Sequence, residues 1–169
     1  TIYECKAKGA FRNQKIKPAV GDDVEIEIIS EADCTGNIVR ILPRKNLLVR
    51  PVVANVDQAV ILFALADPKP NYNLLDRFLI TMEQQNVETM ICFNKSDLVP
   101  DADAEAIASI YRNAGYPVFV TVANQEAGIE MFRKAIHGKT SVFAGPSGVG
   151  KSSMLNALHP QAQVQTGEI

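Results

Sequence analysis

Two short stretches of the chain carry residue types at spacings suited to chemistry. The first, "GPSGVGKSS" at residues 145–153, satisfies G-x-x-x-x-G-K-[ST] at Gly145, Gly150, Lys151 and Ser152. With glycine at about 7% of residues, a chance match in a chain of this size is on the order of one in a hundred or rarer. The implied chemistry is a cradle for phosphate. The loop Gly145, Pro146, Ser147, Gly148, Val149, Gly150 wraps so that several backbone N–H groups point inward. The helix that follows turns its positive dipole end to the same phosphates. In this reading Lys151 reaches the β- and γ-phosphates, the Ser152 hydroxyl ligates Mg²⁺, and Ser153, next after the motif, is counted with the binding residues. The alternative is an ordinary glycine-rich turn between a strand and a helix.

The second stretch is "FNKSDL", with N-K-x-D at Asn94, Lys95, Ser96 and Asp97. An Asp97 carboxylate accepts hydrogen bonds from the ring N–H and exocyclic amine of guanine, Asn94 contacts the other edge, and the Lys95 stem lies over the base. Adenine would leave the carboxylate facing the wrong partners, so guanine is preferred. Three fixed positions also recur by chance, and a helix cap by Asp97 or Asn94 is the competing reading. A third contact is expected in "TVANQEAGI", which starts at Thr121. There Ala123 supplies a backbone N–H to the guanine carbonyl, with the register open by one residue. Thr166, downstream of the cradle, is either a switch threonine or a turn residue before Gly167.

These residues need elements to hold them at one end of a sheet. "AVILFAL" is a continuous apolar run, as in a strand covered on both faces. Leu74, Leu75, Phe78, Leu79 and Met82 then recur at helical spacing. "TMICF" is a second buried strand, and "DADAEAIASIYRNAG" a helix with an acidic first turn and Gly115 at its stop. "PVFVTV", "EAGIEMFRKAIHG" and "TSVFAG" continue the alternation. Strand and helix in regular succession predict an α/β domain with a parallel doubly wound sheet and its ligand at the carboxyl ends of the strands. Ahead of it the texture differs. "YECKAKGAF", "DVEIEI" and "GNIVRIL" read as short strands separated by turn signals. Val24, Ile26 and Ile28 alternate with Glu25 and Glu27 as in a half-buried antiparallel strand. A small OB-like β-barrel is expected over residues 1–50, and the nucleotide-binding domain over 51–169.

Composition narrows the classes. At 169 residues and 47% hydrophobic content the chain can bury a core, and its net charge is −2. The longest apolar run, "AVILFALA", falls far short of the roughly 20 residues a membrane span needs, so no membrane role is expected. The three cysteines, Cys5, Cys34 and Cys92, have no metal-ligand spacing, and reduced thiols without zinc are expected here. Lys6, Lys8, Arg12, Lys15 and Lys17 surround Phe11, a pattern that fits a solvated face or a nucleic-acid contact.

The order of the two motifs is unusual, because in an ordinary guanine-nucleotide switch the phosphate cradle precedes the base reader. Joining chain ends that lie close, and opening the chain elsewhere, builds the same sheet in a new order. The joint here is "RKAIHGKTSVFAG", and the break falls before "AVILFAL". A barrel followed by "LPRKNLLVRPVVANVDQ", "LLDRFL", "NKSDL" and "GPSGVGKSSMLNAL" resembles the circularly permuted GTPases of the RsgA family over nearly the whole chain. The resemblance implies a P-loop GTPase domain in circularly permuted order behind an amino-terminal OB fold that contacts ribosomal RNA. It also implies GTP and GDP as ligands, with hydrolysis stimulated by the small (30S) ribosomal subunit during its late maturation. A cytoplasmic monomer is expected. The sequence stops at "QTGEI", before the family's switch segments, its D-x-x-G motif and its zinc domain, so zinc is expected only in that further domain. Catalytic residues for hydrolysis are therefore unknown. Two other readings stay open on the residues alone: an ATP-dependent kinase sharing the cradle, and an RNA-binding module whose nucleotide site is not catalytic.

Overall fold

The structure is a computed structural model that describes residues 1–7, 17–49, 51–123 and 126–159. Lys8, Phe11, Arg12, Lys15 and Thr166 lie outside the described residues. The chain divides into two compact units, Thr1–Val56 and Asp57–Ile169. Among the described residues no helix is long and apolar enough to cross a membrane.

In the first unit the strands fall where the turn signals place them: β1 (Glu4–Ala7), β2 (Val24–Ser30) and β3 (Thr35–Ile41). They form one sheet in the order β1-β3-β2, with β1 parallel and β2 antiparallel to β3. Of the expected barrel, the described residues show this sheet and two isolated bridges, Val20 to Val53 and Leu47 to Ala54. The half-burial expected of β2 is not seen. Ile26 and Ile28 remain 36% and 44% exposed. Register shifts between Glu25 and Ile26 and between Ile28 and Ser30 interrupt the strict alternation that would have put both isoleucines under one cover.

The proline-bearing connector packs into this unit rather than running free. Leu48, Ala54 and Val56 are sealed from solvent. The Asn46 carboxamide clasps Val56 from both sides, donating to its carbonyl at 2.7 Å and accepting from its N–H at 2.9 Å. Arg44 anchors the preceding turn. Its Nε and NH2 donate to the two oxygens of Asp22 at 2.6 and 2.8 Å, a bidentate pair whose carboxylate is also an acceptor for the Ala19 N–H. The guanidinium holds the Asp22 carboxyl below the usual carboxylate range.

The second unit alternates as its sequence does. Its strands are β4 (Gln58–Ala64), β5 (Glu88–Asn94), β6 (Val118–Val120) and β7 (Ser141–Ala144). Its helices are α1 (Tyr72–Gln84), α2 (Asp101–Asn113), α3 (Glu126–Ile136) and α4 (Lys151–Leu158). The four strands are all parallel, in the order β6-β5-β4-β7. Every residue of β4 is buried, which explains its unbroken apolar run. Its one polar member, Gln58, donates to Ser141 Oγ at 2.8 Å.

The helices turn their apolar stripes inward, α1 through Leu75, Leu79 and Met82, α2 through Ala104, Ala108 and Tyr111. Phe132 on α3 is fully buried, with ring centroids 5.4 Å from Phe119 and 6.1 Å from Phe143. Sheet order, more than any single contact, sets up the site. The last strand among the described residues, β7, is inserted beside β4, so the carboxyl ends of β5 and β7 flank that of β4 on the same edge of the sheet.

Two outcomes follow. Phe132→Ala removes a ring shared by three elements and should cost about 3–5 kcal/mol in urea unfolding. The stabilisation from the Asp22–Arg44 pair should be complete above the carboxyl's unfolded value, near 3.8, and be lost as pH falls through the lower folded value. Acid titration of stability should show that step, and Asp22→Asn should remove it.

Candidate nucleotide site

The base-reading segment begins where β5 ends. Asn94, the last residue of the strand, is 2% exposed. Its side chain joins two loops that are distant in sequence. Nδ2 donates to the Val149 carbonyl in the cradle at 3.0 Å, and Oδ1 accepts from the Ala123 N–H at 3.1 Å. Ser96 N–H donates to the Thr121 carbonyl at 3.3 Å, and Thr121 N–H to that of Phe93 at 2.8 Å, tying the base-reading segment itself to the loop that carries Ala123. Lys95 holds left-handed backbone at φ 59, and Ser96–Leu98 form a single 3-10 turn that presents Asp97.

The cradle begins where β7 ends. Gly145 packs so tightly that a Cβ there would lie 2.1 Å from the Leu62 carbonyl oxygen. Gly150, at φ +96, heads α4, and a Cβ on it would lie 2.4 Å from Asn94 Nδ2. No side chain fits at either position, so glycine is required by close approach as well as by conformation. Val149 turns its side chain into the core and leaves only backbone to the loop. The Lys151 ammonium donates to the carbonyls of Gly145 and Pro146 at 3.1 and 2.6 Å. Ser152 follows in the first turn of α4.

The two motifs meet. A cavity of about 300 Å³ is lined by Asn94, Lys95, Asp97, Leu98, Val122, Ala123, Gly150 and Ser153. Gly145, Pro146, Ser147, Gly148 and Val149, with Lys151 and Ser152, adjoin it through Gly150 rather than lining it, and Ser96 is not among its lining residues. A larger cavity of about 530 Å³, lined by His137, Ser141 and His159 among others, lies at the amino end of β7, away from the edge where parallel sheets place ligands. Size does not decide between them; the convergence of motifs does.

One expected role changes and another gains a second part. Ala123 already donates its single N–H to Asn94, so that hydrogen is not available to a base carbonyl. The amide one position on belongs to Asn124, outside the described residues. Asn94 gives one Nδ2 hydrogen and Oδ1 to protein groups, so it fastens the loops, a role beyond the base contact expected of it. Leu98, Val122 and Thr121 are additions to the expected set. Leu98 sits in the quoted hexapeptide, but nothing in its residue type marks it as cavity wall.

Comparison with known proteins addresses the family. A family model described as RsgA GTPase matches residues 41–169, and one described as RsgA N-terminal domain matches residues 1–38. The chain belongs to the RsgA GTPase family. It is 53% identical over its whole length to the small ribosomal subunit biogenesis GTPase RsgA of Agathobacter rectalis, covering 56% of that protein. To the protein of the same name from Alkaliphilus metalliredigens it is 49% identical, covering 99% of the chain and 58% of the relative. The chain thus spans little more than half the length of these curated relatives. Among solved structures it resembles YjeQ from Thermotoga maritima at TM-score 0.78 and 39% identity, over 93% of this chain and 56% of that one. It resembles YloQ, described as a circularly permuted GTPase, at TM-score 0.73 and 40% identity, over 97% and 57%. The sheet order β6-β5-β4-β7 is the structural form of that permutation.

Asn94→Ala leaves the buried Val149 carbonyl and Ala123 amide unpaired. It should cost about 1–3 kcal/mol for each group that water cannot reach, measured by urea unfolding. Gly150→Ala should be destabilising as well, whereas Gly115→Ala, where a Cβ meets nothing within 4 Å, serves as the control for a positive-φ glycine with open space around it.

Proposed function

We propose that the chain binds GTP and GDP with the base against Asp97 and the phosphates in the cradle of residues 145–153. The observation that carries this reading is the shared cavity, which places Asp97 and Lys95 on the same walls as Gly150 and Ser153. Neither motif alone would select a nucleotide of both this base and this charge. The residues fit such a ligand. Close-packed glycines leave the backbone N–H groups of the loop uncovered by side chains. The Lys151 ammonium rests on weakly competing carbonyls that a phosphate anion replaces with stronger, charge-assisted bonds. Ser152, the motif's hydroxyl, would ligate Mg²⁺, which would neutralise the β- and γ-phosphate oxygens when bound. The chain's own contribution is to hold the phosphates, orient the base and exclude ATP by leaving Asp97 without donors.

The wider role follows from the family. We infer that the protein hydrolyses GTP in the course of maturing the small ribosomal subunit, with that subunit and its RNA as partners. The support is the naming of relatives at 53% and 49% identity as small ribosomal subunit biogenesis GTPases. A soluble, cytoplasmic protein is consistent with that role. The amino-terminal unit is the candidate RNA contact, a reading that rests on the cations around Phe11.

Titration with fluorescent GDP and GTP, competed by ATP, tests the site. GTP should displace the probe and ATP should not; tighter binding of ATP would favour a kinase instead. Asp97→Asn puts a donor where guanine needs an acceptor. It should weaken GTP by about ten- to hundredfold while improving xanthosine triphosphate. Lys151→Ala should weaken both nucleotides without altering the preference between them.

A further inference from the structure

The sheet order leaves one unassigned segment in the middle of the site. Because β4 lies between β5 and β7, the loop leaving its carboxyl end, residues 65–71, emerges between the base-reading loop and the cradle. Both of its ends are fixed. Leu65 N–H donates to the Asn94 carbonyl at 3.0 Å, and Asn71 caps α1 by accepting from the Leu74 N–H at 3.1 Å. Between these anchors Asp67 meets Lys95. Lys95 Nζ donates to the Asp67 carbonyl oxygen at 2.5 Å and lies 3.7 Å from its carboxylate Oδ2. Lys95 itself lines the base cavity.

We propose that Asp67 is a positioning residue for the nucleotide, holding the Lys95 ammonium so that the lysine stem stands along the cavity as an apolar wall for the purine face. This rests on the guanine-nucleotide reading and adds to it a residue that neither motif contains. A lysine stem has four rotatable bonds, and a stem left free until the ligand arrives must be ordered at the expense of affinity. An ammonium anchored beforehand removes part of that cost. The carbonyl bond is charge-assisted, and the carboxylate, at 86% side-chain exposure, adds an attraction that salt screens. The same anchor assigns Lys95 its division of labour. Its charge is committed to Asp67, so phosphate recognition falls to Lys151 and the Lys95 methylenes face the base.

A double-mutant cycle on the whole chain, Asp67→Ala with Lys95→Met, read by fluorescent GDP binding, tests the anchor. Asp67→Ala should weaken GDP by about two- to fivefold at low salt, with a smaller loss at high salt. Asp67→Glu should restore affinity, and Asp67→Ala should add nothing on a Lys95→Met background. An equal loss in both backgrounds, or no loss in either, overturns the proposal and leaves Asp67 at most a structural residue. The cycle can be read on any nucleotide the chain binds. Labelled ADP binding as tightly as GDP would sink the guanine reading while leaving the cycle legible; binding of neither would sink both.

Discussion

A single buried carboxamide, that of Asn94, holds together the parts on which any nucleotide chemistry in this chain depends. It is donor to the Val149 carbonyl and acceptor for the Ala123 amide, and so joins three loops that follow three different strands. Its environment makes the geometry exacting. Asn94 itself is 2% exposed and its bond to the Val149 carbonyl is buried, and the hydrogen atom that stands in place of a Gly150 side chain is what lets it approach. The three loops are therefore fixed relative to one another before any ligand arrives, which is the preorganisation that binding sites need.

That joint works only because the sheet brings the strand ends together. β4 is buried along its whole length and pairs with β5 on one side and β7 on the other, in matched parallel register. Family membership, sheet order and the likeness to YloQ agree on one architecture: a GTPase sheet whose strands are visited in a rotated order. The order of the chain changed while the edge of the sheet that faces the ligand did not.

Much of this was legible in the sequence, for physical reasons that differ by element. The buried strands declared themselves because a parallel sheet covered on both faces demands unbroken apolar runs, as in β4. The helices did so through the inward stripe of Leu75, Leu79 and Met82. The cradle was legible because close approach admits only glycine at Gly145 and Gly150. Other features left no such imprint. The exposure of Ile26 and Ile28 comes from bulges, which shift register without altering the pattern of residue types. The engagement of Ala123 by Asn94 depends on a backbone amide, and any residue but proline would supply one. Asp67 is far from its lysine in sequence, and only the sheet order brings the two together.

The placement of β7 also bears on how the molecule comes into being. A chain made from its amino end delivers β4, β5 and β6, and with them Asp97, before the glycine-rich turn exists. The bond from Gln58 to Ser141 spans 83 positions, so β7 must close a long loop to reach its neighbour. The loop bearing Asp97 is thus made while the glycine-rich loop is still missing, and the cavity they share forms only when β7 pairs with β4. A formed cavity between these two loops would accordingly report that β7 has docked beside β4.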